Sequence, residues 1–165
     1  MTKTLLVLRF MNLFCIALTS GGLVMVLVAV YPSIFLPVWW PFSTKKFDAK
    51  VTAELHRAID LRPDTYMRPS TIVAGVTALL ILILHHDLTP FITTSTIIGL
   101  IGTLGIIFTS EFLNVPINRI VHSWKDDYVP QEYPKMLARW GFFHVVRTLF
   151  SILALVCYII AALAH

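Results

Sequence analysis

Residues 91–112 of the chain read FITTSTIIGLIGTLGIIFTSEF and carry a single charged side chain, that of Glu111. A transmembrane helix needs about 20 consecutive, mostly apolar residues to cross the hydrocarbon core of a bilayer. The apolar residues lack the strict alternation of a barrel strand, so the stretch is predicted to be helical. Similar runs occur elsewhere, and we place four spans at about residues 5–31, 69–86, 90–113 and 139–164.

The composition agrees with a membrane-embedded chain. Of the 165 residues, 57% are hydrophobic and 13% are charged, and the mean hydropathy is +0.79. An average soluble domain is about 45–50% apolar and about 25% charged. A soluble globular domain, a disordered segment and a nucleic-acid-binding module are therefore excluded, and the lipid bilayer is the first expected partner. At this length the chain is predicted to form one domain, residues 1–165.

The first loop contains a helix of a different kind, predicted over about residues 44–61. Basic residues occupy some of its faces, and apolar side chains recur at helical spacing, namely Phe47, Val51, Leu55 and Ala58. Such a helix is expected to lie in the membrane interface and not to cross the bilayer. The predicted fold class is therefore all-α: an integral membrane four-helix bundle with an amphipathic interfacial helix in the first loop.

The basic residues of the chain are concentrated in the first and third loops, and the second loop has none. Cytoplasmic loops of membrane proteins carry an excess of Lys and Arg. We therefore predict that loops one and three lie on the cytoplasmic side and that both termini lie on the opposite side. The net charge of +4 is then explained by orientation and not by a polyanion-binding surface.

The third span continues into a segment whose polar side chains share one face. Their spacings of three, four and four residues follow the helical period, and the residues are Glu111, Asn114, Asn118 and His122. Pro116 lies within this segment, and its missing N–H and bulky ring predict a kink near Phe112. Because polar groups are costly inside a membrane, this face is a candidate functional site.

The fourth span begins with a second polar face, formed by Trp140, His144, Arg147 and Ser151. A charged residue at the centre of a transmembrane helix costs about 2.5–3.5 kcal/mol, so Arg147 is expected to be functional or paired. Its side chain could extend toward the membrane interface, or it could be neutralised by pairing with Glu111. A purely structural role stays open for both faces, as an interhelical ion pair and as hydrogen bonds that hold the bundle together.

Some side chains have the chemistry of metal ligands without the usual spacing. Suitable ligand types are Glu111, His56, His122 and His144, but the chain has no H-E-x-x-H or E-x-x-H pair. We therefore predict no metal and no cofactor, and a bound metal ion or haem stays an unsupported alternative. His56, with Asp60 one turn later, is interpreted as part of a solvated helix face.

Two motifs on these faces resemble a known family. Residues 114–119, NVPINR, with Trp124 after them, resemble the N-x-P-x-N signature of the anthrone oxygenase-like membrane proteins. Residues 139–148, RWGFFHVVRT, resemble the W-x3-[N/H]-x2-R segment that opens the last span in that family. The motif positions are Asn114, Asn118, Trp140, His144 and Arg147, with His144 standing where many relatives have Asn.

The resemblance implies a four-helix membrane fold. It also implies the activity of characterised members, which oxidise anthrones to anthraquinones with molecular oxygen and without an obligatory cofactor. In the mechanism that we infer, His144 or His122 removes an acidic C–H proton, and Arg147 with the two asparagines stabilises the resulting oxyanion. The candidate catalytic residues are His144, Arg147, Asn114, Asn118, His122 and Glu111. The candidate substrate-binding residues are Trp140 and Trp124.

The predicted function is that of a small membrane oxygenase acting on a lipophilic aromatic compound. Two other functions stay open: a non-catalytic accessory or assembly subunit of a larger membrane complex, and a protein that binds a quinone or another lipophile. The expected partners are therefore lipid and a lipophilic small molecule, with a second copy of the chain or a larger complex as further alternatives.

Overall fold

The computed structural model describes residues 3–30, 49–61, 64–85, 88–124 and 128–164. Within these ranges the chain is helical and contains no β-strand. The helices are α1 (Lys3–Met25), α2 (Ala49–Leu61), α3 (Asp64–Leu84), α4 (Pro90–Phe108), α5 (Val115–Ser123) and α6 (Tyr133–Leu163). Two π-helical turns extend them, Val26–Val30 after α1 and Thr109–Asn114 between α4 and α5.

The described ranges contain four helices that are long and apolar enough to cross a membrane, Lys3–Val28, Thr65–Leu84, Pro90–Ser123 and Tyr133–Leu163. They pack in a ring, because α1 contacts α3 and α6, and α4 contacts the same two helices. Large apolar side chains are exposed around the ring, as lipid contact requires. The shorter helix α2 packs against α3 and α5. The predicted fold class, a four-helix membrane bundle with an additional helix in the first loop, is confirmed.

The π turn Thr109–Asn114 interrupts the third spanning helix where the sequence predicts a kink. Val115 donates its backbone N–H to the carbonyl of Ser110, five residues earlier, so the turn is wider than an α-helical one. Pro116 follows immediately and has no N–H to continue the regular pattern. The irregularity predicted near Phe112 is therefore present, and it takes the form of a π turn.

Three glycines allow α4 and α6 to approach closely. A Cβ atom added to Gly99 would lie 2.5 Å from the ring of Tyr158, and one added to Gly105 would lie 2.7 Å from the ring of Phe150. At Gly102 the same atom would lie 3.0 Å from a backbone carbonyl oxygen of α6. Small residues at this spacing permit such close contact between transmembrane helices.

The helices and the predicted segments differ mainly at their ends. α3 and α6 begin before the spans predicted to start at 69 and 139, because polar helical turns precede the apolar runs. The predicted start of the interfacial helix at 44 lies outside the described residues. The same holds for the predicted ends of the first and second spans, at 31 and 86.

Candidate functional site

A cavity of about 310 Å³ lies between the four spanning helices. Its wall is formed by Thr19, Leu23, Val26, Met67, Arg68, Thr71, Ile72, Ile106, Ile107, Ser110, Glu111, Trp140 and Arg147. The wall is mostly apolar, and its charged members are Arg68, Glu111 and Arg147. Small-molecule sites are typically about 300–1,000 Å³ in volume, with apolar walls and a few polar groups that orient the ligand. The cavity is therefore the candidate binding site.

An ion pair between Arg68 and Glu111 connects α3 to the π turn beside the cavity. The Nη2 atom of Arg68 lies 2.6 Å from Oε2 of Glu111, and both side chains are about half exposed. Ile72, which is also exposed, lies on the same wall, so the cavity reaches the outer surface between α3 and the π turn. Glu111 is therefore paired with Arg68, whereas Arg147 was the partner that the sequence suggested. The π turn places Glu111 beside α3, a neighbour that spacing along one helix could not reveal.

Arg147 is held by the histidine one turn before it. Its Nε and Nη2 atoms lie 3.1 and 2.7 Å from Nδ1 of His144. On the other side of the ring, Nε2 of His144 lies 3.0 Å from the carbonyl oxygen of Leu23 in α1. The His144 side chain is completely buried and lies behind the cavity wall, while Arg147 forms part of that wall.

Trp140 forms the aromatic part of the wall and is almost completely buried. Its ring stacks with His144 at a centroid distance of 5.3 Å and contacts His56 of α2 at 4.6 Å. The indole of Trp140 therefore contacts two imidazoles and also lines the cavity.

His56 connects α2 to the bundle and is only 2% exposed. Its Nε2 atom donates to Oδ1 of Asn118 (3.3 Å), and its Nδ1 atom lies 3.5 Å from the hydroxyl of Tyr133. The pKa of His56 is lowered to about 4, chiefly by burial and also by nearby His122, against the raising effect of the hydrogen bond to Asn118.

The prediction that His56 lies on a solvated face is wrong. Thr52, Ala53 and His56 form the buried face of α2, while Val51 of the apolar face is exposed. In an interfacial helix the apolar face turns toward lipid, so the small and polar side chains are left to contact the protein. The signal in the sequence was a histidine that lies three and four residues after two small side chains, Ala53 and Thr52, and therefore on the same face of the helix.

The other candidates lie on or near α5. Asn114 is completely buried, and neither atom of its side-chain amide has a hydrogen-bond partner among the described residues. Asn118 is also buried and accepts a hydrogen bond from His56, whereas His122 is exposed. Trp124 is half buried, with its ring edge-to-face with Tyr133 at 5.3 Å. The structure thus brings Glu111, Arg147 and Trp140 to the cavity and places the other candidates outside its wall.

Sequence reasoning did not identify Arg68 or Tyr133 as site residues. Arg68 falls in the basic first loop of the predicted topology, because it precedes the second predicted span, which starts at residue 69. Nothing in the local pattern indicates that its guanidinium reaches Glu111 across the gap between two helices. Within the described ranges, no three side chains of His, Cys, Asp or Glu converge on a common point.

A comparison with known protein families identifies a match. The sequence model of the family described as anthrone oxygenase matches residues 61–157, more than half of the chain. The chain belongs to the anthrone oxygenase family. No curated protein and no solved structure matches it.

The region shared with the anthrone oxygenase family contains α3 to α5 and most of α6, and it includes both motifs that suggested the family. All the charged and aromatic members of the cavity wall, Arg68, Glu111, Trp140 and Arg147, lie within it. α1, which contributes Thr19, Leu23 and Val26, precedes the matched region. The charged groups of the cavity wall therefore all belong to the family region.

Proposed function

We propose that the protein is a membrane oxygenase that binds a lipophilic aromatic substrate of the anthrone class in the central cavity and oxidises it with O2. The observation that carries this proposal is the mostly apolar wall with two guanidinium groups, one carboxylate and one indole. The apolar surface suits fused rings that partition into the bilayer. The few charged groups suit a substrate that becomes an anion during the reaction.

The first step is removal of a proton. An anthrone C–H opposite the carbonyl is acidic, because the anion that remains is aromatic and carries its charge on oxygen. Glu111 supplies a carboxylate on the cavity wall that can accept this proton. Arg147, on the same wall, stabilises the charge that develops on the substrate oxygen.

The second step is the reaction of this anion with O2. The electron-rich carbon forms a C–O bond and gives a hydroperoxide after protonation. Loss of water then leaves a second carbonyl. One atom of O2 becomes the oxygen of the new carbonyl and the other leaves as water, so the carbon is oxidised and O2 is reduced without another reductant.

The remaining candidates have supporting roles in this proposal. Trp140 provides an aromatic surface for the substrate. The buried amide of Asn114, the last residue of the π turn, has a donor and an acceptor that no described residue uses. Asn118 supports the site indirectly, because it is hydrogen-bonded to His56, which contacts Trp140. His122 lies near the end of α5, and Trp124 follows that helix. These last two belong to the proposed site by their position on the polar segment, not by contact with the cavity.

The test is oxygen uptake by the purified protein in lipid nanodiscs with an anthrone as substrate. Arg147→Ala is expected to lower kcat by about 10²–10³-fold, the usual effect of removing an oxyanion donor, and Glu111→Gln is expected to lower it as well. Arg119→Ala, an exposed arginine of α5, is the matched control and should retain activity. Unchanged rates in both cavity variants would show that the cavity is not the catalytic site. A wild-type protein that binds the anthrone without taking up O2 would instead be a lipophile-binding protein.

A further inference from the structure

We propose that His144 is a positioning residue that holds the guanidinium of Arg147 at the cavity wall, as a neutral imidazole with its proton on Nε2. The proposal rests on the proposed function in one respect, namely that Arg147 binds the substrate oxygen. It assigns a different role to His144 from that of a base.

The hydrogen bonds of His144 determine where its proton lies. A guanidinium has N–H donors and no acceptor, so the Nδ1 atom that faces Nε and Nη2 of Arg147 must accept and carries no proton. A backbone carbonyl can only accept, so the Nε2 atom 3.0 Å from the Leu23 oxygen carries the proton. Both ring nitrogens are therefore occupied in a single neutral tautomer.

The location of His144 supports a positioning role. The side chain is completely buried and does not belong to the cavity wall, so a bound substrate does not contact the ring. It does contact three wall residues: the Leu23 carbonyl, the Trp140 ring and the Arg147 guanidinium. A rigid imidazole between α1 and α6 thus holds a long, flexible arginine side chain in one orientation before substrate arrives.

Two substitutions separate the roles of the two nitrogens. In His144→Asn the amide oxygen takes the place of Nδ1 and can still accept from Arg147, while the bond to Leu23 is lost. In His144→Gln the amide nitrogen reaches the place of Nε2 and can still donate to Leu23, while the acceptor for Arg147 is lost. Neither amide can act as a base, so a catalytic base at this position would be lost equally in both variants.

We expect His144→Asn to remain near the wild-type kcat and His144→Gln to fall by roughly 10- to 100-fold, the range for losing a hydrogen bond to a charged group. KM should change less than kcat, because the oxyanion develops on the way to the transition state. Equal losses in both variants would overturn the positioning role, as would a larger loss in the Asn variant.

A binding measurement tests the same inference without catalysis. The probe is 1,8-dihydroxyanthraquinone, a coloured planar phenol, titrated into protein in nanodiscs. We expect its Kd to weaken roughly tenfold in His144→Gln and to stay near the wild-type value in His144→Asn. When Arg147 is already alanine, His144→Gln should have no further effect, because the histidine then has no guanidinium to orient.

These readouts separate failure of the inference from failure of the proposed function. If the wild type binds the dye but oxidises no anthrone, the proposed function fails while the dye titration still tests His144. An equal effect of His144→Gln with and without Arg147 overturns the positioning role. Nitrogen-15 NMR of labelled histidine, assigned by the signal lost in His144→Asn, should show the Nε2–H tautomer at neutral pH. A proton on Nδ1, or no dye binding by the wild type, would also overturn the inference.

Discussion

Single residues show how the bundle treats buried polar groups. Asn12 in α1 donates from Nδ2 to the carbonyl of Ala74 in α3 at 2.7 Å, so its amide joins two helices. Asn114 is equally buried but has no such partner among the described residues. A buried amide without hydrogen bonds is unfavourable for folding, so a functional role for Asn114 is a hypothesis that substitution can test.

Replacing Asn114 by leucine should therefore stabilise the fold and impair function. Asn114→Leu keeps the branched shape and removes the unpaired amide, so we expect the free energy of unfolding to rise by about 1–3 kcal/mol. Turnover should fall if the amide binds the substrate. Thermal unfolding in detergent and oxygen uptake measure the two effects.

Asn118→Leu is the matched control for this prediction. Its amide oxygen accepts from His56, so the same substitution removes a hydrogen bond and should destabilise the protein. Equal destabilisation by both leucine variants would mean that Asn114 has a partner in the folded protein.

At the level of elements, the π turn and α2 decide how the site is built. The wider turn at Thr109–Asn114 changes the rotation of α5 relative to α4, so helical spacing counted across it does not give the true neighbours. α2 is held to the bundle by His56, whose side chain reaches Asn118 in α5 and Trp140 in α6. This buried imidazole is therefore one of the contacts that hold α2 in place, together with the buried Thr52 and Ala53.

The docking of α2 should consequently weaken on acidification. The pKa of His56 is about 4 in the folded protein and near 6.5 when α2 is detached, so the detached state binds more protons between these values. Stability of the docked state is therefore complete above pH 6.5 and falls as the pH drops toward 4, by about 3 kcal/mol in all. Amide hydrogen exchange of α2, corrected for the intrinsic pH dependence of exchange, measures this loss.

His56→Gln is the control, because glutamine can still donate to Asn118 but does not titrate. Its α2 protection should be nearly independent of pH across the same interval. An identical pH dependence in this variant would assign the effect to other titratable groups.

The whole molecule combines an apolar outer surface with a cavity whose wall carries charged groups. The four spanning helices expose large apolar side chains outward and enclose the cavity with its three charged wall residues. The remaining basic residues lie chiefly in the first and third loops. This asymmetry is the basis for predicting the orientation of the chain in its membrane.

The orientation can be tested by thiol labelling of intact cells. In a background with Cys15 and Cys157, both buried and unpaired, replaced by alanine, single cysteines are placed at Thr2 and Tyr128. We expect a membrane-impermeant maleimide to label position 2 directly and position 128 only after permeabilisation. The reverse pattern would invert the predicted topology, and labelling of both positions in intact cells would show two orientations.

Much of the fold could be predicted because hydrophobicity and helical period are properties of local sequence. The residues of 91–112 determine a spanning helix by length and composition, and Gly99 and Gly105 indicate close packing because they lack side chains. The site was less predictable. Arg147 and Trp140 follow from the family motif, but the partner of Glu111 depends on the relative rotation of α3 and the π turn.

Local sequence is enough to specify an all-helical membrane protein with polar residues near the ends of two spans, because an unpaired backbone group in lipid is so costly that few other structures are possible. Which polar groups meet depends instead on how the helices pack. Arg68 pairs with Glu111, and His144 joins Arg147 to the carbonyl of Leu23. These pairings depend on how far each helix is rotated and shifted against its neighbours, which is set by packing such as that of Gly99 against Tyr158. Because those contacts are distant in sequence, no local pattern could reveal them.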